Sequence, residues 1–242
     1  MNVIVLQHIK VEDPGYIKDL MIKENCNLTT IELDEGEKIP KNLDKYDVMF
    51  CMGGPMDTWM EEKYPWLIEE KKKIKEFVVN QEKPFLGFCL GCQLLGEIVG
   101  GKVIKSKQPE IGMLNVNLTK EAEKDDIFSS FPKSLKALQW HSYEVQDVEK
   151  NKDVKILASS DITKTQIFKY KSHAYGIQFH IEVKDTTVNQ WGCVPEYKLA
   201  LENTFGTGAL EKFDKEAKKN MDKLNFYSTN LYKSFKKKII KI

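Results

Sequence analysis

The chain has 242 residues, 41% of them hydrophobic and 30% charged, enough for one substantial core or for one domain with an appendage. A formal net charge of +1 argues against a general nucleic-acid binder, and five cysteines without dense spacing do not make a disulfide scaffold. No apolar run approaches the ~18 residues that a membrane span needs, and the opening MNVIVLQH lacks the basic start of a signal peptide, so no membrane partner is expected and the expected location is the cytoplasm.

In chain order, NVIVLQH (2–8) and LTTIEL (28–33) read as short strands on either side of PGYIKDLMIKEN, which forms a helix after its Pro-Gly pair. YDVMFCMGGP (46–55) is a buried strand ending in Gly-Gly-Pro. PWLIEEKKKIKEFVVNQ (65–81) is an amphipathic helix whose Glu-Glu-Lys-Lys-Lys run is its solvated face. PFLGFC follows as a strand, and its continuous apolarity suits a parallel sheet covered on both sides. IGMLNVNLT, LKALQWHSYEVQ, VKILASS, TQIFKYK and AYGIQFHIEV are strand-like, the last two joined as a hairpin through Lys171, Ser172 and His173. From about Lys184 the character changes, and residues 203–242 are lysine-rich and helix-permissive, ending SFKKKIIKI. The expected architecture is one α/β domain over 1–185, with a mostly parallel central sheet flanked by helices. A helical C-terminal extension over 186–242 packs on it or trails from it.

Gly87-Phe88-Cys89-Leu90-Gly91 has the form G-x-C-x-G, the thiol counterpart of a serine nucleophile elbow. A nucleophile on a sharp strand-to-helix turn needs small flanking residues where the chain folds back, and a helix N-terminus favours the thiolate. Such a cysteine also needs a base and a group that orients the base. Of the four histidines, His180 in GIQFHIEV stands two residues before Glu182, and residues two apart on an extended strand share a face.

Together, GFCLGCQLLGEIVGG, the His-Glu pair of GIQFHIEV and MGGPMD (52–57) resemble the class I glutamine amidotransferases of the Cys-His-Glu type, whose domain is flavodoxin-like. The likeness runs from residue 4 to 183 and is most detailed to stand-alone members described as GMP-synthase-like. The resemblance implies that Cys89 is the nucleophile, His180 the general base and acid, and Glu182 its orienting partner. It also implies an oxyanion hole made by the backbone N–H groups of Leu90 and Gly54, with Gly53, Gln93, Ser142 and Tyr143 meeting the substrate. That substrate is glutamine or another γ-glutamyl amide, with no cofactor and no metal. All 37 basic residues are lysine, which is no obstacle, because backbone groups can hold the substrate's carboxylate.

Three alternatives stay open at this level. Cys89 and Cys92 form a C-x-x-C that suits redox chemistry, or a disulfide that silences the nucleophile. A chain of this fold can act as an inactive regulatory module. Within the enzyme reading, ammonia passes to a separate synthetase subunit, or the protein is a plain hydrolase of γ-glutamyl compounds. His141 is expected to have a binding or structural role, His8 to be structural or to line the pocket, and Trp191 to cover the pocket mouth.

Overall fold

The computed structural model describes residues 1–241; Ile242, the last residue of the expected extension, lies outside them. Strands β1 (Asn2–Gln7), β2 (Asn27–Glu32), β3 (Val48–Cys51) and β4 (Phe85–Phe88) alternate with helices α1 (Gly15–Lys23) and α2 (Trp66–Lys75), and α3 (Leu90–Ile98) follows β4 directly. β1 pairs in parallel with β2 and β3, β3 with β4, and β4 with β9 (Ala174–Ile177). Side chains alternate across these strands as a two-residue period requires. Val3, Val5, Val48 and Phe50 face one layer with Ile17 and Met21 of α1, while Ile4, Leu6, Met49 and Cys51 face the other with Leu67 and Ile74 of α2 and Leu94 and Leu95 of α3.

The remaining strands, β5 (Lys102–Leu118), β6 (Ser134–Gln146), β7 (Val154–Ser159) and β8 (Ile167–Tyr170), complete one nine-stranded sheet in the order β2-β1-β3-β4-β9-β8-β7-β5-β6. The α/β architecture is as the sequence predicts, and the sheet is mixed: every pairing beyond β9 is antiparallel. The connection from β8 to β9 is the three-residue turn Lys171–His173, too short for the crossover that a parallel pair needs. Two details differ from the sequence reading. β5 starts at Lys102 rather than near Ile111, because its polar first half, with Pro109, pairs with β6 across an irregularity between Lys105 and Glu110. The strand expected to carry His180 and Glu182 ends at Ile177. His180 is instead held by an isolated antiparallel bridge to Leu138 of β6, with N–H to O distances of 2.8 and 3.2 Å.

The C-terminal segment forms α4 (Thr187–Trp191), α5 (Pro195–Phe205) and the long α6 (Ala209–Phe235). α6 buries Leu224, Leu231, Tyr232 and Phe235 in the same layer as Val3 and Val5, and each such side chain contributes about 1.5 to 3 kcal/mol. Its lysines cover the outside. Among the described residues no helix is long and apolar enough to cross a membrane. The carboxyl ends of β3, β4 and β9 lie side by side, which is where an α/β sheet presents its ligand site.

Candidate active site

Cys89 occupies the single residue between β4 and α3, with φ 47° and ψ −102°, a conformation that a side chain adopts only when the surroundings impose it. The surroundings do so from both sides. The Cys89 N–H donates to the carbonyl of Ile177 at the end of β9 (2.8 Å), and the Gly91 N–H donates to the carbonyl of Met52 just beyond β3 (3.1 Å). Gly91 has no alternative, since a Cβ there would stand 2.1 Å from the Cys51 carbonyl oxygen. The thiol is 7% exposed, and among the described residues neither the Leu90 nor the Gly54 N–H has a backbone partner.

His180 and Glu182 follow β9 and are both buried. The His180 Nδ1 lies 2.6 Å from the Glu182 Oε1, and the other Glu182 oxygen accepts from the Ile181 N–H at 2.9 Å. This double hold fixes the carboxylate, and the carboxylate fixes the ring. Burial alone would depress the imidazole's proton affinity, but Glu182 and the neighbouring Cys89 sulfur outweigh it and hold His180 well above the ordinary histidine range. Trp191 packs edge-on to the His180 ring, 4.6 Å between centroids, with its indole N–H donated to the Val11 carbonyl (3.0 Å). It therefore backs the imidazole instead of covering the mouth. At the cavity side, half-exposed Trp59 packs edge-on against Tyr143 at 4.9 Å.

Cys89 opens into a cavity of about 260 Å³ lined also by Gly54, Asp57, Gln93, Ser142, Tyr143 and Tyr197. Gln93, in the first turn of α3, donates to the Tyr143 carbonyl and to the Gln178 Oε1, both at 3.3 Å. Gly53 is in the same turn as Gly54 but lies against Glu12 outside the lining; a Cβ on it would meet the Glu12 Oε2 at 2.6 Å. His141 lines the cavity with both ring nitrogens engaged, by the Tyr143 carbonyl (2.9 Å) and the Gln139 Oε1 (3.0 Å). His8 does not reach the cavity. Cys92 is wholly buried against Gly176 of β9, its thiol pushed well above the ordinary range first by burial and then by Cys89. A thiol kept protonated and enclosed is a poor partner for disulfide exchange, and the two cysteines are not bonded to each other.

Three residues of the site escaped the sequence reading. The Gln178 amide N–H lies 3.6 Å from the Cys89 sulfur, at the end of β9. The Tyr197 hydroxyl of α5 donates to the Glu12 Oε1 at 2.6 Å, behind the Gly-Gly turn. Glu12 is buried, its second oxygen has no partner, and burial, opposed by His180 and Tyr197, raises its carboxyl to about 7. Two neighbouring features carried a signal. GIQFH places Gln178 in register with His180 on the same extended segment, and Glu12 directly precedes the Asp-Pro-Gly turn.

The family model for class I glutamine amidotransferases matches residues 16–190. The chain belongs to the class I glutamine amidotransferases. Among relatives of this amidotransferase, the glutamine-hydrolysing subunit of GMP synthase from Sulfurisphaera tokodaii is 34% identical over 62% of this chain and 74% of its own. Its counterpart from Picrophilus torridus is 31% identical over 70% and 81%. A crystal structure of a glutamine amidotransferase from Thermotoga maritima superposes with a TM-score of 0.84 at 29% identity, over 97% of this chain and 98% of that one. The amidotransferase fold of this chain thus extends, in that neighbour, through the C-terminal helices that lie past the family match.

Proposed function

We propose that this amidotransferase hydrolyses the γ-amide of glutamine through a γ-glutamyl thioester on Cys89, releasing glutamate and ammonia. One observation carries the reading: Cys89 is held in a strained turn between two unpartnered backbone N–H groups, beside an imidazole that Glu182 keeps basic. In this reading His180 takes the thiol proton, and the thiolate attacks the γ-carbonyl carbon. The Leu90 and Gly54 N–H groups hold the tetrahedral oxygen. The imidazolium gives its proton to the departing nitrogen as the C–N bond breaks, and a water activated by the same ring then hydrolyses the thioester and restores the thiol.

The cavity supports an amino-acid-sized substrate, since about 260 Å³ lies just below the range of pockets for drug-sized ligands. Asp57 and Glu196 on its wall suit an α-ammonium group, and the Ser142–Tyr143 backbone suits the α-carboxylate. Gly53 and Gln93 shape the same subsite from behind.

The relatives named as glutamine-hydrolysing subunits of GMP synthase support the transfer of ammonia to a separate synthetase subunit. A second reading, a stand-alone hydrolase of γ-glutamyl amides, is favoured by the near-complete overlap with the Thermotoga neighbour, helices α4 to α6 included, against 62 to 70% for the subunits. The deciding experiment compares turnover of glutamine, glutathione and other γ-glutamyl amides by the purified protein. Cys89→Ala should abolish every such activity with the fold retained; wild-type rates in that variant would reject the assignment. Glutamine turnover that rises with an added synthetase favours the first reading, and fast γ-glutamyl peptide hydrolysis without a partner favours the second.

A further inference from the structure

His8 is fully buried, lies outside the cavity, and takes no part in the proposed hydrolysis. Its Nδ1 is 2.9 Å from the Gly53 carbonyl oxygen and its Nε2 is 2.8 Å from the Glu70 Oε1. A carbonyl oxygen only accepts, so Nδ1 carries a hydrogen and donates it. The ring is held on its face by Trp66, stacked at 5.6 Å, and Glu70 is held by the Cys51 thiol, which donates to the same oxygen at 3.4 Å. Gly54 rests on the His8 Cβ, where an added Cβ would stand 2.9 Å away.

The Gly53 carbonyl and the Gly54 N–H belong to one peptide unit. That unit is planar and trans, so its oxygen and its N–H point in opposite directions. Whatever fixes the oxygen therefore aims the N–H, and a hydrogen bond to the oxygen also polarises the N–H on the far edge. We infer that His8, aligned by Glu70, is a positioning residue that pins the Gly53 carbonyl so that the Gly54 N–H faces the oxyanion formed at Cys89. The inference rests on the reading of Cys89 as nucleophile. It assigns a task to a second buried histidine–glutamate pair, built on β1 and α2 and separate from His180 and Glu182. His8, Cys51 and Glu70 also place one ligand atom each within 4.8 Å, the reach of a three-ligand metal site, but their hydrogen bonds to Gly53 and to one another already engage those atoms.

The test uses His8→Leu, which removes the donor, and His8→Asn, whose amide N–H takes the place of Nδ1–H. For each, kcat and KM for glutamine are measured per Cys89 titrated by alkylation. The affinity for the γ-aldehyde analogue of glutamine is measured alongside, because its adduct with the thiol puts an oxygen in the hole. Deleting an oxyanion donor outright costs about 100- to 1,000-fold, so misaiming one should lower kcat about 30-fold in His8→Leu. KM should stay within about threefold, aldehyde affinity should fall by the same factor as kcat, and His8→Asn should recover most of both. Should His8→Leu fail to fold, Glu70→Gln applies the same readouts to the aligning group. Unchanged kcat per titrated thiol, equal losses in Leu and Asn variants, or a stoichiometric metal ion whose removal lowers kcat would each overturn the inference. Turnover that survives Cys89→Ala would remove the reading beneath it and the inference together, and is recognised separately by that variant alone.

Discussion

Glu182→Gln keeps the size and one acceptor oxygen of the side chain and removes its charge. The His180 Nδ1 and Glu182 Oε1 are 2.6 Å apart, which puts the two charge centres about 4 Å apart; at an effective dielectric of about 20 their attraction is about 4 kcal/mol. Divided by about 1.36 kcal/mol per tenfold, this makes His180 about a thousandfold less basic in the variant. A second effect acts in the same direction. Glu182 also accepts from the Ile181 N–H, so a Gln oxygen retained there turns the amide NH₂ toward His180 and imposes the tautomer whose Nε2 carries the hydrogen. Such a ring cannot take the proton of Cys89. At neutral pH, kcat/KM for glutamine should fall by about a thousandfold, and the rate of Cys89 alkylation by iodoacetamide should fall with it, while far-ultraviolet circular dichroism stays unchanged. Hydrolysis within about threefold of wild type, with an unchanged alkylation rate, would refute the electrostatic argument.

Other consequences can be measured by urea unfolding. Gly91→Ala drives a Cβ into the Cys51 carbonyl, at 2.1 Å, and should destabilise the fold by about 3 kcal/mol or more, whereas a loss under 1 kcal/mol would mean that the elbow relaxes freely. Glu12 has its carboxyl raised from the ordinary 4.5 to about 7, so the folded state keeps a proton that the unfolded chain releases, and stability falls as pH rises between those values. Relative to Glu12→Gln, the wild type should lose about 3 kcal/mol between pH 4.5 and 8; parallel stability curves would contradict the burial argument. Leu231→Ala removes a fully buried side chain of α6 and should cost about 2 to 5 kcal/mol in a single transition, with turnover per folded molecule unchanged; a cost below 0.5 kcal/mol would mean that α6 merely trails from the domain.

What was legible in the sequence is what the backbone itself demands. Gly87, Cys89 and Gly91 announce a tight strand-to-helix turn, Gly53 and Gly54 a close approach, and His180 with Glu182 a shared face, because each depends on residues within a few positions of one another. What was illegible depends on chain segments that meet only after folding. Tyr197 reaches Glu12 across 185 positions, and Ser228 of α6 donates to the Ile181 carbonyl across 47. The packing of α6 was hidden by its lysines, which dilute a narrow apolar face into a helix that reads as solvated. The first half of β5 was hidden because an edge pairing with one partner strand tolerates polar residues and Pro109. His8 was seen at the end of a strand, but its partner Glu70 lies in α2, within a run of charges that looks like surface.

The most direct test is peptide mass spectrometry of protein quenched in acid while it turns over glutamine. The expected result is a γ-glutamyl group on Cys89 and on none of the other four cysteines, absent from Cys89→Ala and accumulating in His180→Ala if any turnover persists there. An adduct on Cys92, or steady hydrolysis with no adduct on Cys89, would contradict the assignment of Cys89 as the nucleophile.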